Sequence, residues 1–177
     1  VGARVDMGEP ALNRGALPMT GPPEEPASAE FELSDGSQLV GTGVSMGNPH
    51  VVFFVDEVEA VPLTTWGPRL ERDARFPQRT NVEFVQVLAP DRLRMRVWER
   101  GSGVTLACGT GACAAVVAAH VRLGLSRRAS VILDGGTLTI EWSSADNHVY
   151  LSGPAETVFR GTCDVEALVS RCPGGQS

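Results

Sequence analysis

The sequence predicts an α+β fold in which one apolar helix sits among many short strands. Three observations carry this reading. Ala112 to Leu123 has a helical pattern and is small and apolar on nearly every side, through Ala112, Ala114, Ala115, Val116, Val117, Ala118 and Ala119. Such a helix is enclosed rather than laid on a surface. Around it, short apolar or alternating runs are separated by turn signals such as Asp35-Gly36, Pro90-Asp91, Gly135-Gly136 and Asp146-Asn147. Finally, 177 residues make one full domain and are too few for two comfortable ones.

Taken in order, Val5 reads as the end of a strand, and without a Met at position 1 the sequence looks entered partway through. Residues 9–29 hold five of the twelve prolines and little periodicity, as a connecting segment does. Phe31–Leu33 and Gln38–Gly43 flank Ser34-Asp35-Gly36-Ser37, a hairpin signal. Val51–Val55 is a short apolar run suited to a buried strand. Leu63–Arg75 can be a polar, imperfect helix, interrupted by Gly67-Pro68. Val82–Val87 and Leu93–Glu99 are strands joined through Ala89-Pro90-Asp91; in the second, Leu93, Met95 and Val97 alternate with Arg94, Arg96 and Trp98. The helix 112–123 stops at Gly124. Val131–Leu133, Leu138–Trp142 and Val149–Ser152 follow as strands.

Composition narrows the function. A content of 42% hydrophobic and 20% charged residues describes a soluble globular domain, with no apolar stretch of membrane-spanning length and no signal peptide. The net charge of −6 argues against nucleic-acid partners. All 15 basic residues are arginine, so no lysine is present for a Schiff base, for pyridoxal-phosphate chemistry or for a P-loop. The four cysteines, at 108, 113, 163 and 172, form no CxxC pair, and His50, His120 and His148 are scattered, which disfavours a zinc site. On one helix Cys108 and Cys113 would lie roughly 140° apart. We read them as reduced thiols in a cytoplasmic protein, with Cys163 and Cys172 as bystanders.

The densest chemistry lies in Glu99-Arg100-Gly101-Ser102-Gly103-Val104-Thr105-Leu106-Ala107-Cys108-Gly109-Thr110-Gly111-Ala112-Cys113. A thiol just before a helix lies where the unpaired N–H groups of the first turn point, which predicts a stabilised thiolate of lowered pKa. The same N–H groups suit a substrate carboxylate. Together they suggest proton transfer at the carbon beside that carboxylate. A lone cysteine before a helix is often mere packing. Gly109 and Gly111 favour function, because they let backbone approach a ligand and leave the sulfur poorly covered, and Thr110 adds a hydroxyl. Cys113 falls inside the helix as a core residue.

The other candidates have plain alternatives. Glu99 and Arg100 end an alternating strand and point to opposite faces, so they are either an edge charge pair or, if the Gly101-Ser102-Gly103 loop turns both inward, a carboxylate fork beside an ammonium acceptor. Ser45-Met46-Gly47-Asn48-Pro49-His50 is either a tight turn or a binding loop between strands. In the second case Asn48 can contact both carboxylate and ammonium, and His50 is a contact. Asn81 is either a cap at the start of a strand or a similar contact.

The segments SMGNPH (Ser45–His50), NVEFV (Asn81–Val85) and ERGSGVTLACGTGACA (Glu99–Ala114) resemble diaminopimelate epimerase in wording, order and spacing. VDMGEP (Val5–Pro10) resembles the stretch that links the two domains of that family. The resemblance implies a cofactor-independent isomerase of lysine and peptidoglycan precursor biosynthesis, with each domain a curved mixed sheet or barrel wrapped around one central helix. Two cysteines, one from each domain, face the α-carbon of L,L-diaminopimelate from opposite sides and invert it to the meso form. Cys108 then acts as base or acid; Gly109 and Thr110 bind the α-carboxylate; Asn48, Asn81, Glu99 and Arg100 hold the substrate's amino and carboxylate groups, with His50 close by.

The sequence departs from the family pattern at Val104, where an acidic residue is usual, and in carrying no second CGNG-type cysteine motif. It therefore reads as residues 1–8 from a first domain or linker, 9–156 as the C-terminal epimerase domain, and 157–177 as a strand and tail returning to an absent N-terminal domain. Thr157–Cys163 is that strand, and an exposed apolar edge is expected there. A homodimer is a family habit. The rival readings are a proline racemase or phenazine-pathway isomerase of the same architecture, a catalytically silent domain binding an amino diacid, and a redox thiol protein.

Overall fold

The computed structural model describes residues 2–33 and 35–165. Val1, the turn residue Ser34 and the bystander Cys172 lie outside them. The strands are β1 (Gly2–Asp6), β2 (Ser28–Glu32), β3 (Gln38–Ser45), β4 (Pro49–Phe54), β5 (Asn81–Ala89), β6 (Arg92–Glu99), β7 (Gly103–Val104), β8 (Arg128–Leu133), β9 (Gly136–Trp142) and β10 (Val149–Pro154). The helices are α1 (Leu63–Glu71) and α2 (Gly109–Leu123), with a short 3-10 turn at Val58–Ala60.

These strands form one mixed sheet in the order β1-β10-β9-β8-β6-β5-β4-β3-β2, with β7 added beside β6. The pairs β4/β5 and β6/β8 are parallel, and the others are antiparallel. Each parallel pair needs a crossover: α1 lies on the path from β4 to β5, and α2 on the path from β6 to β8. Since β6 runs antiparallel to β5, right-handed crossovers place the two helices on opposite faces of the sheet.

Strand alternation accordingly feeds two cores. On β4, Val52 packs toward α2 while Val51 and Phe53 pack on the other side with Leu63, Leu70 and Phe84. On β6, Leu93, Met95 and Val97 face α2, whereas Trp98 turns toward α1. Helix α2 contacts β3, β4, β5, β6, β8, β9 and β10, so the sheet curls round it. Its residues from Gly111 to Ala119 are all buried. Small side chains allow strands to approach from every direction, which is why an alanine-rich helix holds this place.

The curl is closed by irregular chain. Gly8 and Met7 bond to Val149 on β10, and Ala11 bonds both ways to Ser45 on β3. The connecting segment thus spans the gap that strands leave open. The residues expected as a linker, 1–8, include β1, which pairs along its whole length with β10. Two expectations need correction. The first helix ends at Glu71, not Arg75, where Asp73 and Arg75 form a salt-bridged turn. Residues 157–163 form no strand; they carry no regular structure, and Val158 and Phe159 are 90% and 84% exposed. No free sheet edge in the described residues pairs with them, and an unpaired strand is not a stable conformation in water.

Candidate active site

Helix α2 begins beneath the ends of β4 and β5, and this placement gathers the candidate residues. Cys108 is its N-cap, in extended conformation, and its carbonyl accepts the Ala112 N–H at 2.9 Å. Its Sγ lies 3.6 Å from Thr110 Oγ1. Asn48, on the β3–β4 turn, directs Nδ2 to Thr110 Oγ1 at 3.4 Å. His50 on β4 places Nε2 3.0 Å from Asn48 Oδ1. Four residues from two distant segments are thereby joined, and Gly109 lies in the same first turn.

Two expectations about the thiol are overturned. Cys108 is only 7% exposed, so the sulfur is covered rather than open. Its pKa is raised to about 11, not lowered. Burial is the main cause; charge on the nearby Glu83, when ionised, would act next in the same sense, and hydrogen bonds from Thr110 and the Gly111 backbone act in the opposite one. Dehydration at this position outweighs the helix start. Cys113 is fully buried, as expected, with its thiol pushed up to about 12 by burial. Cys163 is exposed.

Glu83 is the residue that the sequence reading missed. It sits on β5, fully buried, with Oε1 2.6 Å from His50 Nδ1. Burial raises its pKa, and the His50 interaction only partly opposes this. Gly111 makes room for it: a Cβ there would stand 2.8 Å from Glu83 Oε1. The signal was present in Val82-Glu83-Phe84-Val85, an ionisable residue within an apolar strand, which is rarely buried without a partner.

Asn81 and Arg100 form the other wall. Asn81 donates to the Pro49 carbonyl and accepts the Arg100 backbone N–H, both at 2.9 Å, which ties the Asn48 turn to the end of β6. Glu99 accepts a hydrogen bond from Thr105, while the exposed Arg100 guanidinium reaches the Gln78 carbonyl at 3.2 Å. Glu71, from α1, holds the turn from behind. It accepts Trp98 Nε1 at 2.8 Å and the Gly101 N–H at 3.1 Å. Glu71 was also missed, being one more acidic residue at the end of a polar helix.

Among the described residues, no helix is long and apolar enough to cross a membrane. No group of three or more His, Cys, Asp or Glu side chains in them is placed to hold a metal ion.

The family model for diaminopimelate epimerase matches residues 42–158. Curated diaminopimelate epimerases of Moorella thermoacetica and Geobacillus thermodenitrificans are each 55% identical, over 90% and 89% of this chain. That of Synechocystis sp. is 52% identical over 92%. The chain spans little more than half their length: 57%, 54% and 58% respectively. Two solved structures share the fold. A probable proline racemase from Agrobacterium radiobacter K84 aligns at TM-score 0.56 with 12% identity, covering 86% of this chain and 50% of that one. A predicted epimerase from Pseudomonas aeruginosa aligns at 0.55 with 17% identity, covering 90% and 59%.

Proposed function

The chain belongs to the diaminopimelate epimerase family, and from that premise we propose that it supplies one of two thiols that invert L,L-diaminopimelate to the meso form without a cofactor. The observation that carries this is Cys108 at the start of α2, within reach of Thr110 and joined through it to Asn48 and His50. A thiol with a pKa of about 11 is protonated at neutral pH, which suits the acid half of the exchange. The partner thiolate takes the α-proton, and the C–H electron pair stays on carbon, delocalised into the α-carboxylate. Cys108 then gives its S–H proton to the opposite face and becomes the thiolate. In the reverse direction the roles exchange.

The unpaired N–H groups at the start of α2, with Gly109 and Thr110, hold the α-carboxylate. Asn48, Asn81, Glu99 and Arg100 hold the remaining amino and carboxylate groups, with His50 behind Asn48. Arg100 is exposed and spends one donor on Gln78, so its fork is open to the far carboxylate of a diacid, which proline lacks. The second thiol comes from outside residues 1–177, and the protein works in the cytoplasm.

The test is to mix this chain with the N-terminal half of the Moorella relative, supply L,L-diaminopimelate in deuterated water, and follow meso product and α-deuteration. Activity that appears only with both parts, and vanishes in Cys108→Ala, is expected. Turnover of proline in preference to the diacid, or turnover surviving Cys108→Ala, overturns the reading. Diacid binding without turnover in the mixture would instead support a silent binding domain.

A further inference from the structure

We propose that Glu83 is a positioning residue held as a neutral acid, and that it starts a one-way chain of hydrogen bonds through His50, Asn48 and Thr110 that ends as a donor to the Cys108 sulfur. The polarity follows from which atoms can donate. Asn48 Nδ2 faces Thr110 Oγ1, so Oδ1 faces His50 Nε2, and an amide oxygen only accepts. Nε2 therefore carries a hydrogen. Thr110 Oγ1 accepts from Asn48 and still has its own hydrogen, which it gives to Sγ, 3.6 Å away, when Cys108 is a thiolate with no hydrogen of its own to donate.

At the other end, Nδ1 and Glu83 Oε1 share one hydrogen across 2.6 Å. If that hydrogen stays on nitrogen, an imidazolium and a carboxylate are both buried, and Glu83 Oε2 has no hydrogen-bond partner among the described residues. A buried carboxylate with an orphaned oxygen is the more expensive arrangement. Moving the hydrogen to Oε1 removes both charges and leaves only a carbonyl-like oxygen unpaired. The titratable groups that face Glu83 are His50 from β4, Glu99 from β6 and Cys108 from α2. The last two would be anions when ionised, so they too favour the neutral acid. Neutrality also removes the repulsion that a Glu83 carboxylate would exert on the thiolate.

The chain thus serves the sulfur twice, by presenting a hydroxyl donor and by withholding a negative charge. Its bearing on proton transfer rests on the reading of Cys108 given above. Two readouts on the 177-residue chain test it without turnover, so its failure and that of the proposed reaction are separable.

The first is the nitrogen NMR spectrum of the His50 ring at neutral pH. A neutral ring with hydrogen on Nε2 is expected in the parent and in Glu83→Gln, whose amide donates to Nδ1 as the acid does. An imidazolium in the parent that turns neutral in Glu83→Gln overturns the proposal. The second is the pH profile of Cys108 alkylation by iodoacetamide, located by peptide mass. Thr110→Val removes the donor and should raise the apparent pKa by about one unit, a tenfold loss of thiolate at a given pH. Glu83→Leu should shift it in the same direction, and Glu83→Gln should leave it in place. Thr110→Val matches threonine in size and keeps the test decisive if Glu83→Leu does not fold. A parental profile in Thr110→Val overturns the proposal.

Discussion

Cys108 shows how strongly a few ångströms of cover act on one side chain. A thiol at a helix start in water would ionise more readily, yet here burial, above all, raises its pKa to about 11. The consequence for stability has a definite sign. Below the ordinary thiol value of 9.0 both states hold the proton, and above it only the folded state does, until about 11. The unfolded state then binds fewer protons, so stability falls as pH rises across that window. We expect the parent to lose denaturant resistance relative to Cys108→Ala between pH 9 and 11, and an unchanged difference would refute the shift. Gly111 gives a second residue-scale prediction. Alanine in a helix interior ordinarily gains about 0.5–1 kcal/mol over glycine. Here its Cβ would meet Glu83 Oε1 at 2.8 Å in a packed core. Gly111→Ala should therefore destabilise by about 1–3 kcal/mol in urea melts. Gly109→Ala, whose nearest obstacle is the flexible end of Leu151, should cost less.

At the scale of elements, α1 and the β6 turn act together although their sequence patterns look unrelated. Gly67 lets the Trp98 ring lie against α1, and Glu71 at the end of that helix accepts from Trp98 and from Gly101. The pairing fixes the turn that carries Glu99 and Arg100. Glu71→Leu leaves the Gly101 N–H and the indole N–H without their acceptor, and we expect a loss of about 1–3 kcal/mol. If Arg100 holds the far carboxylate as proposed, binding of meso-diaminopimelate, followed by calorimetry, should weaken as well, because the Arg100 fork loses its support. Undiminished affinity in a folded Glu71→Leu protein would show that the turn holds its shape unaided.

For the whole molecule, the sheet wraps α2 and presents the Cys108 end of that helix beside exposed apolar residues. Val104, on β7, and Leu106, on the loop before Cys108, are 44% and 69% exposed, and Val158 and Phe159 project from the irregular segment after β10. Because residues 157–163 carry no regular structure, their amides should exchange with deuterium far faster than those of β10. A chain ending at Glu156 should retain its unfolding free energy within about 0.5 kcal/mol. Slow exchange there, or a marked loss on truncation, would mean that the segment packs on this domain after all.

The order and nature of most elements were legible in the sequence, because they rest on local signals. Alternation marks β6, all-round alanine and valine mark α2, and Gly124, with φ at +66°, stops it. The motifs that carry Asn48, His50, Asn81, Glu99, Arg100 and Thr110 stood out as polar stretches beside glycines and strand ends, and the fold brings Asn48, His50 and Thr110 together beside Cys108. What only the tertiary structure decided was electrostatic and topological. That α1 and α2 take opposite faces depends on the reversed direction of β6, and no local pattern records it. That Cys108 is a reluctant acid depends on its burial by segments that lie far apart in the chain. A pKa is set by dehydration and by charges close in space, and a chain of hydrogen bonds by atoms that meet only after the sheet has curled. Sequence spacing carries neither.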